Sequence, residues 1–151
     1  MEKSDIVKLL WEDVTEFNRR RQEDPDMGPG LDLTGAQLTG ASLVKADLGR
    51  VNLSGADLRD VDLTEAILNN TVLEDSDLGN ANLAGANLHR FRIRGADMRG
   101  AQTEVFGGNC RMCLHTSNFQ DVRWDKEQIE AMLRVINLNS DWQVRYEVVP
   151  K

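Results

Sequence analysis

The chain has 151 residues, 25 acidic and 18 basic, for a formal charge of −7. That is one domain's worth with room for a sizeable core, and the acidic balance excludes the basic footprint of a nucleic-acid binder or an anionic-membrane binder. No apolar run approaches the length of a membrane span of about 18 residues. The opening MEKSDIVKLLWEDVTEFNRRR lacks the apolar stretch of a secretory signal, and two cysteines make no disulfide framework. A cytoplasmic protein is expected.

The first element predicted is a helix from about Asp5 to Arg20 with Ser4 as its N-cap. Ile6, Leu10, Val14 and Phe17 lie at helical spacing on one face, with Trp11 beside them. RQEDPDMGPG then links the helix to the next segment of the chain, so residues 1–30 read as a helical cap and linker.

From Leu31 the chain scans as LDLTG, AQLTG, ASLVK, ADLGR, VNLSG and so on, fifteen five-residue units without interruption. The third position is Leu in twelve units, then Ile93, Met98 and Thr103; the first is mostly small and the second mostly Asp, Asn, Gln or Ser. Neither the 3.6-residue helical period nor the two-residue strand period yields this spacing. Two inward residues flanking one outward residue make a very short strand, and the Gly-, Asn- and Asp-rich pair after them makes a turn. Repeated at fixed length, strand plus turn coils into an all-β solenoid whose large third residues fill the axis. The phase slips at FGGNC and resumes at Met112-Cys113-Leu114, Ser117-Asn118-Phe119 and Val122-Arg123-Trp124. A one-residue insertion near Gly107-Gly108 accounts for the slip and extends the repeat domain over 31–124.

The remainder, 125–151, reads as a second cap. Asp125 precedes a helix near Lys126 to Ile136, with Gln128 three residues on as in a capping box. Trp142, Val144, Tyr146 and Val148 then alternate as in a strand. These apolar faces serve either to cover the open end of a monomeric rod, the favoured reading, or as the seam of a homodimer.

The run of units resembles the pentapeptide-repeat family, whose motif is A(D/N)LXX, over Leu31 to Val105. The resemblance implies a right-handed, four-sided β-helix with four units per coil. On that geometry residues twenty apart share a face, so Asp57, Asp77 and Asp97 form one column at a rise of about 4.8 Å. Such a column is held by neighbouring turn N–H groups or is a docking stripe for a basic partner or cation. Glu74 and Arg94 are expected to pair between coils. Ile67 and Val72 occupy outward slots beside the acidic stretch, where polar residues are the rule, and are candidate partner-binding residues.

No nucleophile motif, phosphate loop or HExxH pattern is present, and no enzyme activity or cofactor is expected. Cys110, Cys113 and His115 in CRMCLH are the one grouping with ligand chemistry. Structural zinc takes four protein ligands and no second pair exists, so ordinary thiols are the favoured reading, with a labile disulfide and metal binding behind it. The function expected is a non-catalytic scaffold that presents side-chain ladders to a protein partner. The alternatives are a DNA mimic directed at gyrase, which the resemblance suggests, and a redox or metal switch at Cys110 and Cys113.

Overall fold

The computed structural model describes residues 1–102 and 120–130. Twelve parallel bridges among these residues define the coil. Eleven join residues twenty apart, from Asp32 with Asn52 to Asn82 with Gln102. Four five-residue units therefore complete one turn, and each unit contributes a single bridging residue, the second of its five. We name the four faces A to D by the units beginning at Leu31, Ala36, Ala41 and Ala46.

The hydrogen bonding shows why the period is five. Within each rung the third residue donates onward and the second donates back, as when Leu33 N–H donates to Asn52 O at 2.8 Å and Asn52 N–H to Leu31 O at 2.9 Å. Between rungs the third residue's carbonyl accepts from the next unit's first N–H, as from Ala36 to Leu33 at 3.0 Å. The residue before that donor has positive φ, the third position of a type II turn.

The first and third residues of the described units point inward. All of the leucines from Leu33 to Leu88 at the third position are buried, as are Ile93 and Met98. The first-position residues differ by face. Face A takes Leu31, Val51, Thr71 and Phe91, whereas the other faces take mostly alanine. The two buried hydroxyls are satisfied by carbonyls, Thr71 by Leu48 and Ser76 by Leu73.

The N-terminal cap differs from the single helix expected. Helix α1 spans Lys3–Glu12 and α2 spans Val14–Glu23. Asp13 separates them with φ −155°, and its carboxylate accepts the Glu16 N–H at 2.9 Å. Asp13-Val14-Thr15-Glu16 has the spacing of a capping motif, which starts a new helix in mid-run. Ser4 lies inside α1 and is not its cap; Glu2 holds that position without a side-chain bond. Ile6, Leu10 and Phe17, with Met27 from a 3-10 turn over Pro25–Met27, join the same buried core as the coil.

Beyond residue 102 the described ladder includes Arg123, which pairs with Asp97. Those residues are twenty-six apart, six more than one coil, so the single insertion read near 107–108 does not account for the offset; it would have set Asn118 opposite Asp97. The phase at Val122-Arg123-Trp124 is as expected, with Val122 and Trp124 packed on the core. A whole extra unit preserves phase and changes only the face, which no five-residue pattern records. The site of the expected insertion lies outside the described residues, as do the remainder of the expected C-terminal helix and the strand expected at 142–148. Residues 126–130 are helical. The capping box reaches back as predicted, with Gln128 Oε1 accepting from Asp125 N–H at 2.9 Å.

Candidate functional site

Face B carries the aspartate column in its outward slots: Gln37, Asp57, Asp77, Asp97 and then Arg123, bridged one to the next. Each aspartate accepts the backbone N–H two residues on, Arg59 at 3.3 Å, Gly79 at 2.9 Å and Arg99 at 3.2 Å. Local turn bonding thus holds all three carboxylates.

The column is also neutralised from within. Arg59 forks onto Asp57, Nε to Oδ1 at 2.9 Å and Nη2 to Oδ2 at 2.6 Å. Arg99 repeats that geometry on Asp97 at 2.9 and 2.7 Å, and Arg123 Nη2 adds a contact at 3.3 Å. The Arg59 hydrogen bond holds Asp57 well below the usual carboxylate range, and Arg99 does the same for Asp97 against the opposing effect of burial.

Asp77 is different, because the residue two places on is Gly79. Its side chain is 42% exposed, against 19% for Asp57 and 7% for Asp97. Its contact with Arg59 Nε is long, at 3.8 Å. Around it lies a groove of about 490 Å³ lined by Arg59, Gly79, Asn80, Arg99 and Asp125, among others. The sequence contained the signal for this rung, since DLR, DLG and DMR recur at twenty-residue spacing with glycine only in the middle.

The other predicted residues do not join that groove. Ile67 is 40% exposed in face D, and Val72 is half-buried in face A, around the corner made by Asn69 and Asn70. Glu74 pairs with Arg92, Nη2 to Oε1 at 2.8 Å, and not with Arg94 as expected from twenty-residue stacking. Arg92 stands in the bridging slot of the next coil, from which its long side chain reaches the carboxylate diagonally. Cys110, Cys113 and His115 lie outside the described residues; among the described residues no group of His, Cys, Asp and Glu is placed to hold a metal. Nor is any described helix long and apolar enough to cross a membrane.

The family model for pentapeptide repeats matches residues 32–70 and 68–100, in eight copies. Similar solved structures include a pentapeptide repeat protein (Rfr23) from the cyanobacterium Cyanothece 51142, 31% identical with a TM-score of 0.42. That match covers 63% of this chain and 60% of the other, so the chain spans less than two thirds of that relative's length. A pentapeptide repeat protein from Nostoc PCC 7120 is 29% identical over 64% of this chain and 67% of its own, with a TM-score of 0.36. QnrB1, a plasmid-mediated fluoroquinolone resistance protein, is 15% identical over 70% of this chain and 65% of its own, with a TM-score of 0.34. No curated protein matches the chain in sequence.

Proposed function

We propose, from the premise that residues 32–100 make this chain a member of the pentapeptide-repeat family, that it is a non-catalytic scaffold whose ladders of outward side chains dock a protein partner. One observation carries this reading. The backbone bridges fix every second-position side chain of the described coils in register on a flat face, above an interior filled by leucine and alanine. A rigid array of this kind has lost its conformational freedom before any partner arrives, so docking on it costs little further ordering.

The charge pattern supports a protein partner over the DNA-mimic alternative. A mimic of duplex DNA needs an unbroken negative surface, and on face B Arg59, Arg99 and Arg123 interrupt the aspartates.

Changing the charge of one outward side chain per face tests the scaffold reading: Arg92→Glu on A, Asp77→Lys on B and Asp62→Lys on C reverse a charge, and Asn87→Lys on D adds one. Each variant is immobilised beside the wild type, retained proteins are identified by mass spectrometry, and binding is remeasured with the purified partner. The expected result is a partner whose affinity falls with one face and not with the others. Retention that no face alters would overturn the reading.

A further inference from the structure

Face B repeats one arrangement three times, and the middle copy is incomplete. In the first and third rungs an aspartate is gripped by the arginine two residues on, Asp57 by Arg59 and Asp97 by Arg99, in the same forked geometry. In the middle rung the aspartate is present as Asp77, and Gly79 stands where the arginine would be. We propose that this rung is a receptor for a single arginine side chain of a partner protein, whose guanidinium takes the position that Arg59 and Arg99 hold beside their own aspartates.

Three observations carry the proposal. The first is the internal comparison: the chain itself shows twice which group completes such a rung, and how. The second is space. A Cβ at Gly79 would stand in ordinary contact with Arg59 Cγ at 3.7 Å and Arg99 O at 3.8 Å but would press on Asp77 Oδ1 at 3.1 Å, so the bare glycine keeps the space beside that carboxylate open, and Gly79 is not among the residues with positive φ. Gly79 therefore serves no turn geometry that only glycine supplies. Its lack of a side chain opens the groove of about 490 Å³ between Arg59 and Arg99.

The third is charge. Among the described residues, Arg59, Arg99 and Arg123 face Asp57, Asp77, Asp97 and Asp125 across this surface, one cation short. Asp125 accepts the Gly100 N–H, and both forked arginines are engaged by their own carboxylates. Among the described residues Asp77 Oδ2 has only the long contact to Arg59 and is the exposed acceptor. An anion in the groove would meet Asp77 directly. A lysine would supply charge without the planar fork that matches a carboxylate in two places.

This inference rests on the scaffold reading and names the chemistry its partner presents on face B. The test is a titration of ¹⁵N-labelled protein with N-acetyl-L-arginine amide, and in parallel with its lysine counterpart, at constant ionic strength. The reporter is the Gly79 amide, whose N–H is bonded to Asp77. A saturable shift localised to Asp77–Asn80 is expected with the arginine compound. Asp77→Asn should weaken it about fivefold, the scale of one exposed ion pair. Gly79→Arg should abolish it while the thermal midpoint holds or rises, because the new side chain completes the rung from within. No saturable shift, an equal response to lysine, or an unchanged response in Gly79→Arg would each overturn the receptor. Those results leave the face-by-face capture experiment untouched, whereas saturable arginine binding without any captured protein would count against the scaffold reading alone.

Discussion

Every described unit from residue 31 to 100 turns its corner through a residue of positive φ. Gly35, Gly40, Gly55, Gly85, Gly95 and Gly100 do so without strain, and Lys45, Arg50, Asp60, Glu65, Asn70, Asp75, Asn80 and Arg90 do so at φ between 55° and 61°. A residue with a Cβ gives up about 1–2 kcal/mol in the left-handed region, less for Asn and Asp. Arg50 is exposed, with φ 61°, so Arg50→Gly is expected to stabilise the protein by about 1 kcal/mol. Gly95→Ala should act in the opposite sense, losing about 2 kcal/mol. Its φ is 73°, and its new Cβ would stand 2.1 Å from Asp75 Oδ1 in the coil above. Urea midpoints for the two variants check both signs. A neutral Gly95→Ala would show that the Asp75 side chain swings clear and that corner strain is small.

A coil ends in backbone groups that the next coil would have paired, and at both ends of the run 31–102 side chains take over part of that role. On the N-terminal side, Lys3 donates to Thr34 O, Trp11 Nε1 to Gln37 O and Asn18 Nδ2 to Lys45 O. Asn18 Oδ1 also accepts the Asp47 N–H at 2.8 Å. Arg21 does most, donating to the carbonyls of Asp47, Gly49, Gly28 and Met27 from a half-buried position. On the C-terminal side Gln128 Nε2 bonds Met98 O and Ala101 O, both at 2.8 Å, and Asp125 takes the Gly100 N–H. Arg21→Leu keeps the apolar stem and strands these carbonyls, so it should cost about 2–4 kcal/mol. Arg21→Lys should cost less, since an ammonium reaches some of them. Hydrogen exchange at the first coil would show the loss concentrated there. The apolar face of the N-terminal cap was legible because Ile6, Leu10 and Phe17 follow a helical period. The hydrogen bonds were not, because their acceptors are main-chain carbonyls, which leave no mark on residue type. The same blindness explains the α1–α2 break: an unbroken apolar period hid a capping motif at Asp13. It also explains the face on which Arg123 lands, because phase survives the addition of a whole unit.

Phase is what holds the whole rod together, and deletions separate it from size. Removing residues 66–70 takes out one complete unit. Each later unit then turns by one face, but its first and third residues still point inward. The new junction stacks Thr71 on Ala46, Ser76 on Val51 and Ala86 on Val61, all small or modest residues already tolerated at that position. The Thr71 hydroxyl, bonded to Leu48 O in the native coil, would meet the equivalent carbonyl of Leu43. Removing only residues 66–68 leaves Asn69 and Asn70 out of phase, and the ladder can continue only by turning Leu73 and its successors off the axis or by bulging the corner. A leucine lost from a packed core costs about 2–5 kcal/mol. The five-residue deletion is therefore expected to unfold at a higher urea concentration than the three-residue one, although it removes more of the protein. The reverse order would mean that the leucine ladder is not what sets stability. The larger deletion has a second use, because it also moves Asp77 off the face of Arg59 and replaces Arg59 above that rung with Ser54. A folded protein with its side-chain columns reassigned in this way separates what the core requires from what a docking partner reads. In such a solenoid the inward residues can be satisfied by almost any unit, while the identity of the surface depends on the order of the units around the coil.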